Sequence, residues 1–309
     1  MKKVKKNYYM YKRLISAFIF TGCFILNLGA STLAHASVNV VDDKGRTVTL
    51  QHPAKRIISL APHITESLFA AGAGDKIIGA VSYSDYPEAA KKIPRVGSYS
   101  TLDLEKIISL KPDLVIAWSS GNNYKQIEKM KTFGLTVFLS EPRYPQDIAN
   151  TIQRFGVLAG TSKVADKEKN LFLQHYHKLK LRYSSKRKVK VFYQIWNKPI
   201  MTISGHHLIS DIIELCGGEN VFSDLKTLTP KISVEAVLAV KPDVIISGGM
   251  GEAHSEWIGA WKNWKRLPAV KNEQLYFINP DLMQRVGPRI LQGADQLCKL
   301  LDAARKIRK

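Results

Sequence analysis

A thirteen-residue pattern occurs twice in this chain, and it constrains the architecture more tightly than any other feature. Leu104-Glu105-Lys106-Ile107-Ile108-Ser109-Leu110-Lys111-Pro112-Asp113-Leu114-Val115-Ile116 returns 130 residues later as Val234-Glu235-Ala236-Val237-Leu238-Ala239-Val240-Lys241-Pro242-Asp243-Val244-Ile245-Ile246. Each copy reads as a short helix that opens with Glu, stops at Lys-Pro-Asp and runs into a buried strand. A weaker echo pairs Phe69-Ala70-Ala71-Gly72 with Glu214-Leu215-Cys216-Gly217. Such a repeat predicts two similar lobes with a cleft between them.

The residues around the repeat have the same grammar. Val38 to Val41 and Thr47 to Leu50 flank Asp42-Asp43-Lys44-Gly45 and predict a β-hairpin. Ile57 to Leu60, Ile77 to Val81, Leu114 to Trp118 and Thr136 to Leu139 are strand-like, with helical periodicity between them. Val189 to Ile195, Met201 to Ser204, Val244 to Ser247 and Leu275 to Ile278 are the strands expected in the second half. Strand and helix in alternation mean mostly parallel sheets covered by helices, an α/β fold. Between the halves, Thr161-Ser162 offers an N-cap after Gly160, and residues 163 to 184 contain no Pro or Gly. A helix there is about 33 Å long and forms a stiff connector. The expected organisation is an N-terminal lobe at 37–162, a connecting helix at 163–185 and a C-terminal lobe at 186–309.

The first 36 residues have a different character. Lys2, Lys3, Lys5, Lys6, Lys12 and Arg13 precede an uncharged apolar run from Leu14 to Leu33, and Ala34-His35-Ala36 follows. This is the order of a secretory signal peptide cleaved after Ala36, with export to the periplasm. The alternatives are an uncleaved membrane anchor, or lipid attachment at Cys23 in Phe20-Thr21-Gly22-Cys23. Cleavage leaves 40 basic and 26 acidic residues, a net charge of +14. The one dense basic cluster, Lys186-Arg187-Lys188 with Lys190, lacks interleaved aromatics and reads as a solvated face; no nucleic acid is expected as partner. Export leaves Cys216 and Cys298 as an even pair in an oxidising compartment. One disulfide closing a loop of about 80 residues, with a stabilisation of about 4 kcal/mol, is the first reading; two buried thiols is the other.

A chain with 45% apolar residues and three Cys is neither disordered nor a disulfide mini-scaffold. It carries no G-x-S-x-G, P-loop, H-E-x-x-H or G-x-G-x-x-G, and no catalytic residue is assigned. Gly72-Ala73-Gly74 follows a helix, the wrong order for a dinucleotide turn. His175 and His177 diverge on a helix, and His206 and His207 diverge if they lie in a strand. His63, in the turn after the first parallel strand, is the histidine best placed to meet a ligand, against the plainer reading of a polar loop residue. Tyr83, Tyr86, Tyr99 and Trp118 gather at expected strand ends and suit a large, flat, partly apolar ligand. Asp281 and Arg285 offer a polar rim, or a salt bridge with each other. Trp257, Trp261 and Trp264 recur at helical spacing and read first as helix packing. Glu105 and Glu235 favour their helix dipoles, and by position serve equally as one docking carboxylate per lobe for a two-fold partner.

Arg56-Ile57-Ile58-Ser59-Leu60-Ala61-Pro62, Ser82-Tyr83-Ser84-Asp85-Tyr86-Pro87, the two Lys-Pro-Asp repeats, Cys216-Gly217-Gly218-Glu219-Asn220 and Gly287-Pro288-Arg289-Ile290 resemble the vitamin B12-binding branch of the helical-backbone solute-binding proteins that serve ABC importers. The likeness runs from about Arg56 to Cys298. It implies two Rossmann-like lobes on a long rigid helix, with little hinge closure. It also implies cobalamin as ligand, with corrin contacts at Tyr83, Tyr99, Trp118, Met201, Asp281 and Arg285. The permease dimer of the importer, served by its ATPase, is then met by Glu105 and Glu235, and Cys216 is bonded to Cys298. Cobalamin arrives intact, so no protein metal ligand and no cofactor are expected, and the receptor is a monomer. Haem or a ferric siderophore is the alternative ligand within the class, with Tyr83 or His63 as a haem ligand. A secreted hydrolase or metalloenzyme is the remote one. The chain departs from the pattern at Thr229, where an aromatic is expected over the corrin, at Met201 for Phe and at Tyr99 for Trp. Gly249 to Lys265 is longer than the pattern, and its Trp residues are candidates for the missing contact.

Overall fold

The computed structural model describes residues 37–249 and 254–307. The signal segment expected at residues 1–36 and part of the Gly249–Lys265 stretch lie outside them. Val38–Lys309 forms one compact unit.

The chain enters through the antiparallel hairpin β1 (Val38–Val41) and β2 (Thr47–Leu50). Asp42 closes it, accepting the backbone N–H groups of Lys44 and Arg46 and the Arg46 guanidinium. The first half continues with β3 (Ile57–Ser59), α1 (Pro62–Ala70), β4 (Ile77–Ala80), α2 (Leu104–Ser109), β5 (Leu114–Trp118), α3 (Tyr124–Thr132), β6 (Val137–Ser140) and α4 (Pro145–Ala159). Left-handed Gly160 ends α4, and α5 (Ser162–Tyr183) follows at once as the long helix between the halves. The second half comprises β7 (Val189–Gln194), α6 (Leu208–Leu215), β8 (Gly218–Asn220), α7 (Val234–Val240), β9 (Val244–Ser247), α8 (His254–Trp261), α9 (Pro268–Lys271), β10 (Leu275–Phe277), α10 (Pro280–Met283) and α11 (Ile290–Ile307).

All pairings within the two four-stranded sheets are parallel, and the strand orders, β4-β3-β5-β6 and β8-β7-β9-β10, are the same order used twice. The sequence repeat is the mechanical basis of this symmetry. Side chains of Asp103 and Ser233 cap α2 and α7 by accepting the N–H groups of Lys106 and Ala236. Lys111 and Lys241 then turn the chain with φ of 47° and 48°, left-handed values that stop each helix before Pro. The next residue fastens the sheet. Asp113 accepts the backbone N–H groups of Lys55 and Arg56 at 2.8 and 3.0 Å, and Asp243 accepts that of Lys190 at 3.0 Å. Each Lys-Pro-Asp thus ends a helix and pins the first residues of the neighbouring strand, β3 or β7.

Alternation along the strands sorts the core into layers. Ile57, Leu114 and Ile116 on one face, with Val191, Tyr193 and Ile246 from the second sheet, belong to one apolar cluster that includes Phe155 of α4, Phe172 of α5 and Leu297 of α11. Ile58 and Val115 point the other way to meet Ile107 of α2, and Phe192 and Ile245 meet Val237 of α7. The long helix therefore lends one face, Ala165, Phe172, Leu179 and Tyr183, to a continuous core shared by both lobes.

Two elements differ from expectation. Met201 to Ser204 is not a sheet strand. Pro199 folds the segment back, so Met201 bridges Trp196 and Lys231, and Thr202 and Ser204 donate to the carbonyls of Pro230 and Leu228. The second place in that sheet's sequence is taken by Gly218–Asn220, paired with Val189–Val191. His206 and His207 likewise lie in no strand, since His207 is the N-cap of α6 and its Nδ1 accepts the Ile209 N–H at 3.1 Å.

Candidate functional site

The C-terminal ends of both sheets open onto loops that carry the aromatic and charged residues. After β5, the chain turns at Gly121 beneath the Trp118 ring, where a Cβ would stand only 1.9 Å from a ring carbon. Trp118 lies 6.1 Å from Tyr99 and edge-on to His63 at 5.3 Å, measured between ring centres. These three rings form a wall built from the first turn of α1, the loop before α2 and the end of β5.

One buried amide holds the wall together. Asn122 Oδ1 accepts the Trp118 N–H at 2.7 Å, while its Nδ2 donates to the carbonyls of Leu60 at 2.9 Å and Tyr99 at 2.7 Å. Sequence reasoning misses Asn122, because a loop Asn is the commonest of turn residues and its partners are 23 and 62 residues distant. Beside the wall, Tyr83 is 73% exposed and left-handed, with φ of 65°. That backbone costs about 1–3 kcal/mol in a residue other than glycine. Its neighbours hold it: Ser82 donates through its N–H and Oγ to the Gly97 carbonyl, and Arg95 donates to the Ser84 carbonyl at 2.8 Å.

His63 is not a loop residue. It occupies the first turn of α1, buried, with no partner for Nε2. Burial, reinforced by the nearby Arg285 charge, pushes its pKa down to about 4 and keeps the imidazole neutral. Its ring packs edge-on against that of Trp118.

Asp281 and Arg285 form the salt bridge, at 2.9 Å, within a larger network. Arg285 Nη1 also donates to Asp85 at 2.8 Å and to Glu66 at 3.2 Å. Glu66, with 2% of its side chain exposed, takes a two-pronged bond from Arg289, Nε at 2.9 Å and Nη2 at 2.6 Å. Arg289 in turn lies 4.0 Å over the Tyr86 ring. Burial alone would raise the Asp85 carboxyl, but the bond and charge of Arg285 outweigh it and hold it below the usual carboxylate range. Glu66 and Asp85 come from the first lobe and the two Arg from the second, so the cleft floor is an ion network across the lobes. Neither Glu66 nor Arg289 was separable from helix-surface charges in the sequence.

On the second lobe's side, Met201 is half-buried beside Trp196, which is exposed and stands edge-on to Trp257 at 5.7 Å. Trp196 is an aromatic that sequence reading overlooks, since its ring partner Trp257 is far away in the chain. Trp257 and Trp261 pack α8 on the lobe, Trp261 donating to Gln194 at 2.8 Å and meeting Phe192 edge-on, whereas Trp264 lies beyond the helix. Thr229 is half-buried in the loop that pairs with the Met201 segment. Glu105 and Glu235 are both exposed in the first turns of α2 and α7. Glu235 is held below the usual carboxylate range by its own backbone N–H and the Ser233 hydroxyl. Cys216, at the end of α6, and Cys298 of α11 are bonded, S–S 2.02 Å. His175 pairs with Asp295 at 2.9 Å, away from His177. Among the described residues no three His, Cys, Asp or Glu converge as a metal site would require.

A lobed α/β receptor with an aromatic wall, a charged floor and paired exposed carboxylates is matched by the periplasmic binding protein family over residues 57–282. The chain belongs to the periplasmic binding protein family. Within that family it is 38% identical to the vitamin B12-binding protein of Vibrio cholerae over 255 residues, 82% of this chain and 91% of that protein. The crystal structure of the periplasmic vitamin B12-binding protein BtuF of Vibrio cholerae superposes with a TM-score of 0.76 at 38% identity, covering 82% of this chain and 99% of that one. The periplasmic heme-binding protein HutB of the same organism shares the fold, with a TM-score of 0.70 at 23% identity, covering 80% of this chain and 98% of that one. Family and fold agree with the two parallel-sheet lobes described above.

Proposed function

We propose that this solute-binding protein captures cobalamin between its lobes and delivers it to an ABC importer. The observation that carries the reading is the pair of rings Trp118 and Tyr99, with exposed Tyr83 and the Arg285–Asp281 pair also at sheet C-terminal ends, in a chain 38% identical to a vitamin B12-binding protein. A corrin is broad, partly apolar and fringed with amides. Flat rings match its face, and a carboxylate and a guanidinium match its edge. Tyr83, Tyr99, Trp118 and Met201 take the face, and Asp281 and Arg285 take the edge. To receive amides, Arg285 turns some of its donors from Asp85 to the ligand. The reading needs no chemical step and no metal ligand from the protein, and it assigns no catalytic residue.

Glu105 and Glu235 are the docking carboxylates for the permease dimer that works with its ATPase, one at the same place in each repeat. The family's name and the signal pattern at residues 1–36 support a periplasmic location, with the protein acting as a monomer. The test is co-elution of cyanocobalamin with the purified protein in gel filtration, followed by transport in cells. Glu105→Lys with Glu235→Lys leaves retention of cobalamin unchanged and abolishes uptake. Unimpaired uptake removes the docking role, and failure of cobalamin to co-elute removes the ligand.

A further inference from the structure

The basic cluster at Lys186 to Lys190 belongs to a larger surface that the cleft does not use. Residues 178–190 hold seven Lys and Arg and no acid, and residues 299–307 hold three more with a single acid, Asp302. The fold fastens these two segments side by side. Arg187 Nη2 donates to the Arg305 carbonyl at 2.5 Å, and Arg305 Nε donates back to the Arg187 carbonyl at 2.8 Å. Lys186 reaches Asp302 at 2.6 Å, which offsets part of the local charge only. Like charges gathered in this way repel one another unless an outside anion neutralises them. The cluster lies where β7 begins, at the opposite end of the strands from the cleft.

Each of the two basic segments also carries an exposed apolar side chain. Leu181, between Lys180 and Arg182 near the end of α5, is 85% exposed. Ile307 is 52% exposed and lines a depression with Arg187, Lys188 and Arg305, against a single acid, Asp243. We infer that this pole binds the surface of an anionic phospholipid bilayer. A soluble polyanion such as nucleic acid would neutralise the charge but gain nothing from Leu181 and Ile307. A bilayer interface takes both, with ammonium and guanidinium groups at the phosphates and the aliphatic chains below them.

The chain from Ser37, which contains the whole compact unit, is mixed with vesicles of phosphatidylcholine containing about one quarter phosphatidylglycerol, and with phosphatidylcholine alone, then pelleted. The protein sediments with the anionic vesicles at low ionic strength, not with the neutral ones, and is released as salt rises. Lys180, Lys188 and Lys306 are all exposed. Changing them together to Gln lowers partitioning about a hundredfold, at roughly fivefold per charge. Leu181→Ser lowers it several-fold without altering the salt dependence. Unchanged far-ultraviolet circular dichroism and melting show that the variants are folded. The inference is overturned by absence of sedimentation at low salt, by equal binding of the triple variant, or by binding of duplex DNA with none to vesicles.

Discussion

Replacing Glu66 by Gln removes the carboxylate that binds both arginines of the second lobe. Three charged donors converge on it: Arg289 Nε at 2.9 Å, Arg289 Nη2 at 2.6 Å and Arg285 Nη1 at 3.2 Å. Gln has nearly the same shape, keeps one acceptor oxygen and presents an amide N–H₂ to the guanidinium of Arg289. Removing one partner of a buried ion pair costs about 3–5 kcal/mol because the other charge stays desolvated. Arg285 retains Asp85 and Asp281, and Arg289 keeps the Tyr86 face, so the lower end, about 3 kcal/mol, applies here. For a unit of this size that is a fall in Tm of about 5 °C. Urea unfolding followed by circular dichroism measures the loss as a lower midpoint at unchanged slope. The buried position makes it insensitive to salt, unlike an exposed pair such as Lys91–Glu88. A loss below about 1 kcal/mol, or one that disappears at high ionic strength, refutes the claim that this network fastens the lobes.

Two further outcomes follow from the wall. His63 is neutral in the folded protein to about pH 4, whereas the unfolded chain takes up the proton from about 6.5 downward, so this residue costs stability as pH falls between those values. At pH 5 the loss attributable to it is about 2 kcal/mol relative to pH 7. Buried His207 has the same sign, and Asp211, raised to about 6 by burial and then by Glu214, has the opposite sign. The check is therefore the difference between wild type and His63→Gln in urea melts at the two pH values; parallel curves contradict the assignment. Gly121→Ala places a methyl where the Trp118 ring lies, so the ring shifts and cobalamin affinity falls at least tenfold, about 1.4 kcal/mol, measured by equilibrium dialysis. An unchanged affinity would mean that Trp118 is not part of the ligand's wall.

The strands that end in the site were legible where burial on both faces leaves unbroken apolar runs, as in Leu114–Trp118 and Val244–Ser247. Gly218–Asn220 was illegible because Gly, Glu and Asn have no strand preference, and the segment is extended through its pairing with β7. Met201 misleads in the opposite direction: Met-Thr-Ile-Ser alternates like a strand, yet Pro199 turns it onto the 228–232 loop. The aromatics of the wall stood out because they follow strand ends. What arranges them did not, since Asn122 and Glu66 act through partners far away in sequence, and a single-residue signal for such partnerships does not exist. The repeat made the symmetry visible, whereas the role of its Asp, a clasp on the neighbouring strand, exists only in the folded chain.

The central claim is that the cleft of this periplasmic binding protein takes cobalamin. Calorimetric titration of the chain from Ser37 with cyanocobalamin, beside a parallel titration with haemin, tests it most directly. The account predicts saturable one-to-one binding of cobalamin at submicromolar strength, about −8 kcal/mol or tighter, and no specific site for haemin. Saturable heat with haemin and none with cobalamin would contradict it, and would move the chemistry from the aromatic wall to an axial ligand.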